Sequence, residues 1–160
     1  MYLAYRFFFI NGNIGVFEKN LESDIRKSQR INDEWIVEGS VGEEIATFIS
    51  YPGDKSSYTL SVYLNHKGAS IGYFFRYGGA SPNDLNANTE ELVVEGRNER
   101  TFVSMNHQKI NKIETDNGVN VDIIDVDSDK PFAVVIPKDA GIVTLYNVEG
   151  NVVEYIKGYV

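Results

Sequence analysis

Three aspartates at alternating positions, Asp125, Asp127 and Asp129, form the pattern in this sequence that most suggests a chemical site. Carboxylates spaced in this way supply the first, third and fifth positions of a calcium-binding loop. The rest of that loop is absent, because Lys130 replaces the glycine of the sharp turn and Ile136 replaces the bidentate glutamate. Calcium is the one candidate cofactor that the sequence offers. Because the loop is incomplete, the sequence favours a solvated acidic hairpin turn over a calcium site. A melting temperature unchanged by calcium or EDTA would exclude the metal.

An aromatic run with one arginine, Tyr73 to Tyr77, is the second candidate site. In a strand, Tyr73, Phe75 and Tyr77 share one face, and Phe74 and Arg76 share the other. Aromatic residues and arginine are enriched at interface hot spots, so Phe74 and Arg76 are predicted to form an interaction surface for a protein or carbohydrate partner. In the alternative interpretation, the N-terminal helix covers the outward Phe74, because an amphipathic helix needs an apolar surface to pack on.

Local catalytic signatures are absent from the sequence. There is no G-x-S-x-G, S-x-x-K or H-E-x-x-H motif and no phosphate-binding glycine loop, so no catalytic residue is predicted. The two histidines, His66 and His107, lie in polar segments that indicate loops. The 23 acidic residues leave one enzymatic alternative, a hydrolase that acts on carbohydrate through carboxylates dispersed along the chain.

Charge and composition limit the class of partner. The chain has 160 residues, a formal net charge of −8 and no cysteine, which is consistent with a single domain spanning residues 1–160 without disulfides. Apart from Arg26, Lys27 and Arg30, the basic residues are scattered, so no surface is predicted to neutralise a phosphate backbone. Nucleic acid is therefore excluded as an expected partner, and the oligomeric state is left open.

Residues 1–12 contain the apolar stretch MYLAYRFFFI. Two interpretations remain, a first β-strand of the domain or the remnant of a membrane anchor. The first is consistent with a cytoplasmic protein, and the second with a membrane-tethered extracytoplasmic one. Complete release of the full-length gene product without detergent would exclude the anchor.

Residues 13–30 are predicted to form the one helix of the domain. Phe17, Leu21 and Ile25 recur at helical spacing, and Glu22 precedes Arg26 by four residues. The apolar stripe is narrow, so the helix should lie against a sheet.

From residue 35 to 160 the apolar period becomes two, which predicts a β-rich core of about nine or ten short strands. Asn117-Gly118 is the strongest hairpin signal, and residues 78–91 indicate a long loop. Short strands without intervening helices favour antiparallel pairing, so the predicted fold is a single antiparallel β-sandwich or a partly open barrel with one N-terminal helix.

The sequence therefore favours a non-catalytic binding or protein-interaction module, with a membrane tether if residues 1–12 are an anchor. The alternatives are the carbohydrate hydrolase and a calcium-stabilised structural domain. A deep cleft lined by converging acids would favour the hydrolase, and a flat exposed aromatic patch would favour the binding module.

Overall fold

The computed structural model describes residues 14–66, 68 and 70–160. The predicted first strand or membrane-anchor remnant at residues 1–12 lies outside this described part. Within it, no helix is long and apolar enough to cross a membrane.

Twelve strands of the described residues form three four-stranded sheets. Sheet A, in the order β1-β2-β3-β4, consists of Ile36–Val41, Ile45–Tyr51, Thr59–Asn65 and Tyr73–Gly79. Sheet B contains β5 at Thr89–Val93, β6 at Glu99–Ser104, β9 at Phe132–Pro137 and β12 at Tyr155–Tyr159, in the order β12-β5-β6-β9. Sheet C contains β7 at Ile110–Asp116, β8 at Val121–Asp125, β10 at Ile142–Asn147 and β11 at Val152–Val153, in the order β11-β10-β7-β8.

The N-terminal helix is shorter than the predicted range of 13–30. A 3₁₀ turn at Glu18–Asn20 leads into the α-helix α1, Leu21–Ser28. Leu21 and Ile25 are buried on one face, whereas the predicted stripe residue Phe17 precedes the helix and is 47% exposed. The helix ends where Arg30 adopts a positive φ of 55°, which a continuing helix does not allow.

The elements stack as four layers in the order α1, sheet A, sheet B and sheet C. Three apolar clusters lie between the layers. The cluster between α1 and sheet A includes Leu21, Ile25, Ala46, Tyr63 and Tyr73. The cluster between sheets A and B includes Ile49, Leu60, Val62, Val103 and Met105, and the cluster between sheets B and C includes Phe102, Ile113, Phe132, Ile136 and Leu145.

The predicted mainly β, sandwich-like class is confirmed, and the sheets do not close into a barrel. The strand count exceeds the predicted nine or ten, because β1 and β2 were not identified from the sequence and residues 152–159 divide into two strands. One pair departs from antiparallel order, since β12 runs parallel to β5. Their connection includes all of sheet C, so the chain supplies the long crossover that parallel pairing requires.

The predicted acidic hairpin at residues 122–137 is wrong. β8 pairs with β7, and β9 pairs with β6, so the connection between β8 and β9 crosses from sheet C to sheet B. Asn106 holds this crossing, because its amide donates to the Asp127 carbonyl at 3.1 Å and to the Ile110 carbonyl at 3.0 Å. The predicted hairpin at Asn117-Gly118 does join β7 and β8, with Gly118 at φ 84°.

Candidate interaction surface

The aromatic run on β4 contains a register shift that the alternating pattern does not predict. Tyr77 pairs with Val62, whereas Phe75 pairs with the next residue of β3, Tyr63, so Arg76 has no partner across the strands. Adjacent residues of β3 face opposite sides, and the bulge therefore places Phe75 and Tyr77 on opposite faces of sheet A. The predicted grouping of these two side chains on one face is wrong.

Phe74 and Arg76, the predicted interaction surface, differ in exposure. Phe74 is partly buried, with its ring centroid 5.4 Å from that of His66, and a Cβ on Gly15 would lie 2.9 Å from its ring. Arg76 is exposed at the bulge. Within this run, Tyr73 belongs to the cluster beneath α1, whereas Phe75 is 53% exposed and packs edge-on against Tyr63 at 5.7 Å. Binding by Phe74 and Arg76 stays a prediction.

The three aspartates of the predicted calcium site lie at the end of β8 and in the crossing that follows it. Asp125 pairs with Lys112 across the sheet, and Asp127 accepts a hydrogen bond from the Asp129 amide at 2.9 Å. The Lys109 ammonium contacts Asp129 at 2.7 Å, and this hydrogen bond lowers the pKa of the Asp129 carboxyl. Among the described residues, no three acidic or histidine side chains are grouped so that they could hold a metal ion. The calcium site stays a prediction.

The two histidines make contacts that orient loops. His66 Nδ1 lies 3.2 Å from the Arg97 guanidinium, and His107 Nε2 lies 3.2 Å from the Asn86 side-chain oxygen. Both imidazoles are exposed, and their hydrogen bonds in the described part of the chain lead to no carboxylate. Neither histidine is therefore held in the way that a general base is oriented.

An acidic cleft of about 690 Å³ lies where the β1–β2 turn meets the start of β6. Its lining consists of Glu43, Glu44, Asn98, Glu99, Pro137, Lys138 and Asp139. Glu99 is 6% exposed and accepts the main-chain N–H groups of Glu43, Glu44 and Ile45 at 2.8 to 2.9 Å. The Glu44 carboxylate in turn accepts hydrogen bonds from the main-chain N–H and the side-chain amide of Asn98, at 2.8 and 3.0 Å. These carboxylates fasten sheet A to sheet B.

A second buried carboxylate holds the predicted loop of residues 78–91. Glu90 is fully buried and accepts hydrogen bonds from the Ser81 hydroxyl and from the Asn83 side chain, the latter at 2.9 Å. The carboxylate lies against Gly158 of β12, where an added Cβ would displace it. The hydrogen bonds from Ser81 and Asn83 therefore anchor the loop on sheet B.

Glu91 points to the opposite side of β5 from Glu90, as the spacing of adjacent strand residues predicts. Its carboxylate is 3% exposed and lies 3.5 Å from Arg100 and 3.8 Å from Lys157. The Arg100 guanidinium also donates to the Gly141 carbonyl and lies 5.7 Å from the centre of the Phe102 ring. The charge cluster therefore joins sheet B to the start of β10, and sequence reasoning did not identify it because Glu91 and Gly141 are distant along the chain.

The outer face of sheet C, the side turned away from sheet B, exposes four apolar side chains. Val121 and Ile123 on β8 are each 57% exposed, Ile142 on β10 is 73% exposed, and Val152 on β11 is 57% exposed. Ile124, Val143 and Val153, each next to one of these residues along its strand, point into the cluster between sheets B and C. Tyr146 lies on the same face, between Val152 of β11 and Lys112 of β7.

A polar stripe divides this face. The cross-strand register places Asp116 between Val121 and Ile142, and places Glu114 between Ile123 and Thr144. On the next row, the Lys112 ammonium lies 4.1 Å from the centre of the Tyr146 ring and 3.5 Å from Glu114. The outer face of sheet C therefore has a charged centre on β7, with exposed apolar side chains on the strands to either side of it.

The sequence carries a partial signal for this face. In the segment VDIID, Val121 and Ile123 alternate with Asp122, a pattern that normally places the apolar residues inside. The structure has them outside, because Ile124 and Val126 pack against the cluster between sheets B and C. The adjacent pair Ile123-Ile124 makes both faces of β8 apolar, and this is the feature that could have indicated an exposed apolar surface.

Comparison of the chain with protein-family models, with curated proteins and with solved structures gave no match.

Proposed function

We propose that this chain is a non-catalytic binding module that contacts a protein partner through the outer face of sheet C. The observation that carries the proposal is the exposure of Val121, Ile123, Ile142 and Val152 on one sheet face, at 57 to 73%. Several exposed apolar side chains on one sheet face favour an interaction site more than scattered single residues do, and here they lie on both sides of the polar stripe.

The other described sheet faces support the same proposal. Sheet B lies between sheets A and C, and the helix side of sheet A packs on Leu21 and Ile25 of α1. No described residue packs on the outer face of sheet C in this way. The acidic cleft supports binding over hydrolysis, because Glu99 and Glu44 accept hydrogen bonds from the protein's own amides. A membrane tether through residues 1–12 stays part of the proposal as a prediction from the sequence.

Site-specific photocrosslinking in the native cell tests this proposal. A photoreactive amino acid at Thr144, in the middle of the outer face, is expected to yield one discrete crosslinked protein. The same group at Lys27, on the exposed side of α1, is the matched control and is expected to yield none. The double substitution Ile142→Ser and Val152→Ser should abolish the Thr144 product, and it should change the free energy of unfolding by less than about 1 kcal/mol because both side chains are exposed.

Two outcomes would contradict the proposal. One is the absence of a discrete product at Thr144, and the other is a Thr144 product that survives the double substitution. A product that also forms from Lys27 would show contact that is not specific to the outer face.

A further inference from the structure

The outer edge of sheet C offers main-chain groups as well as side chains. β8 is the last strand of the sheet and pairs with β7 alone. Two hydrogen bonds bracket this pairing, from the Val126 amide to the Asn111 carbonyl at 3.1 Å and from the Asn117 amide to the Asn120 carbonyl at 3.2 Å. Because hydrogen-bonded positions alternate along an antiparallel ladder, β8 directs its even-numbered residues toward β7.

The odd-numbered residues of β8 therefore point their main chain outward. Val121, Ile123 and Asp125 present three N–H and three C=O groups at the edge, and no hydrogen bond joins these groups to any other described residue. Such a row of unpaired groups is the template on which an added strand forms.

Two other sheet edges are occupied within the described chain. On β4, Tyr73 and Val16 exchange main-chain hydrogen bonds at 2.8 Å in both directions. On β9, the Val135 amide donates to the Ser40 hydroxyl at 3.0 Å. The edge of β8 lacks such a cover and is continuous with the exposed apolar side chains Val121 and Ile123.

Charge decides which strand this edge can accept. Asp122 and Asp125 form no ion pair with any described residue, although Lys112 is the cross-strand neighbour of Asp125. Lys112 contacts Glu114 and the Tyr146 ring instead. A second copy of the chain, with a formal net charge of −8, would bring further negative charge to this edge, whereas a basic strand would neutralise it.

We infer that β8 accepts an extended strand from the partner protein, with Lys or Arg facing Asp122 and Asp125 and apolar side chains facing Val121 and Ile123. The added strand extends sheet C by one, and its main chain pairs with the outward groups of Val121, Ile123 and Asp125. This inference rests on the proposed function and specifies how the partner engages the same sheet.

Selection of short random peptides displayed on phage, with the whole chain as bait, tests the inference. Enriched peptides are expected to carry Lys or Arg at two positions three residues apart, opposite Asp122 and Asp125, and apolar residues opposite Val121 and Ile123. Bound to the protein, they should slow hydrogen exchange of the Val121, Ile123 and Asp125 amides at least about tenfold, because these amides are open in the unbound edge. The Asp122 and Ile124 amides are the internal control, since they are already paired with β7.

Two variants sharpen the result. Ile123→Pro removes an outward N–H without removing a ladder bond to β7, so it should abolish peptide binding and leave the fold intact. Asp122→Lys with Asp125→Lys should reverse the selection to acidic peptides. An N-methylated form of the selected peptide, tested on the unaltered protein, should not bind, and this control does not depend on the folding of any variant.

Three outcomes overturn the inference. One is the absence of any enriched peptide, and the second is enriched peptides that leave exchange at Val121, Ile123 and Asp125 unchanged. The third is protection of these amides in the peptide-free protein at concentrations where it dimerises, which would assign the edge to a second copy. If the Thr144 crosslink is nevertheless formed and lost as expected, the proposed function stands and only strand addition fails.

Discussion

The two outermost sheets of this protein differ in what covers them. The outer face of sheet A carries Ala46, Tyr63 and Tyr73, and α1 covers these residues with Leu21 and Ile25, which are 1% and 0% exposed. The outer face of sheet C carries valine and isoleucine side chains that are more than half exposed, with no described element over them. Isoleucine is thus buried at Ile25 and accessible at Ile123 and Ile142.

The edges of the two sheets also differ, because one is covered by main-chain hydrogen bonds and the other is not. The edge of sheet A pairs with Val16 through two main-chain hydrogen bonds of 2.8 Å, whereas the edge of sheet C ends in the outward groups of β8. Burial of an isoleucine side chain stabilises a protein by roughly 1.5 to 3 kcal/mol relative to exposure. Truncation of Ile25 on α1 should therefore lower the free energy of unfolding more than truncation of Ile123 on β8. Burial, and not residue type, therefore separates structural from accessible isoleucines in this protein.

Truncation of one buried and one exposed isoleucine is expected to give the largest difference in stability between the two sheets. Ile25→Ala should lower the free energy of unfolding by about 2 to 5 kcal/mol, because it leaves a cavity between α1 and sheet A. Ile123→Ala deletes the same atoms from an exposed site and should cost less than about 1 kcal/mol. Urea unfolding of the two variants measures both values. Equal losses would contradict the assignment of an uncovered face to sheet C.

The hydrogen bond that joins α1 to sheet A gives an intermediate effect. The Tyr63 hydroxyl donates to Asp24 at 2.5 Å, and burial together with this bond raises the pKa of Tyr63 above its usual range. Tyr63→Phe should cost about 0.5 to 1.5 kcal/mol at neutral pH. Unfolded tyrosine loses its proton near pH 10, whereas folded Tyr63 retains it, so the contribution of the raised pKa is complete below pH 10 and falls as the pH rises further.

Urea unfolding at neutral pH and above pH 10 measures this effect. The unaltered protein should lose more stability over that range than the Tyr63→Phe variant. The alkaline loss of stability can be compared with that of Tyr51→Phe. Tyr51 lies in the cluster between sheets A and B, and burial and a hydrogen bond to Glu38 also raise its pKa. Identical alkaline losses in the unaltered protein and in Tyr63→Phe would show that α1 is not held through this hydroxyl.

The exposed ion pair beside β8 gives the smallest effect. Lys109 lowers the pKa of Asp129 through a hydrogen bond, so this contribution is present above the ordinary pKa of an aspartate and disappears as the pH falls through the lowered value. Asp129→Asn should therefore lower the melting temperature slightly at neutral pH and not at strongly acidic pH. Thermal unfolding across this range is the measurement.

The control for this pair is Lys109→Gln, in which Asp129→Asn should have a smaller effect, because only Lys55 then still lowers the pKa of Asp129. A large loss from Asp129→Asn at neutral pH, or an undiminished loss in the Lys109→Gln background, would show that Asp129 has a role beyond the Lys109 pair. Raising the salt concentration should reduce the effect, because the pair is exposed to solvent.

Much of the fold could be predicted from local patterns. The change of apolar period after Trp35 indicates a β-rich core, and the spacing of Leu21 and Ile25 indicates a helix that packs on a sheet. The assignment of strands to sheets could not be predicted, since β8 and β9 are consecutive yet pair with different partners. The bulge at Arg76 likewise depends on the register with β3, and no local pattern encodes that register.

Of the candidate site, the sequence indicated the acidic residues of β8 but assigned them to a metal or a turn. The apolar surface beside them was not identified, because the alternation of Val121 with Asp122 predicts burial of the valine. The buried carboxylates were also missed as structural groups. Glu99 accepts hydrogen bonds from the main-chain N–H groups of residues that precede it by more than fifty positions. Sequence spacing gives no indication of such a contact.

By itself, the sequence determined the mainly β class, the single amphipathic helix, the net charge of −8 and the lack of cysteine chemistry. These properties follow from composition and from periods shorter than one element. The tertiary structure alone decided which apolar faces are covered, which edge has open main-chain groups and which acids are held by amides. The physical reason is that burial and pairing depend on contacts between strands far apart in the chain, where α1 reaches sheet A and no described element reaches the outer face of sheet C.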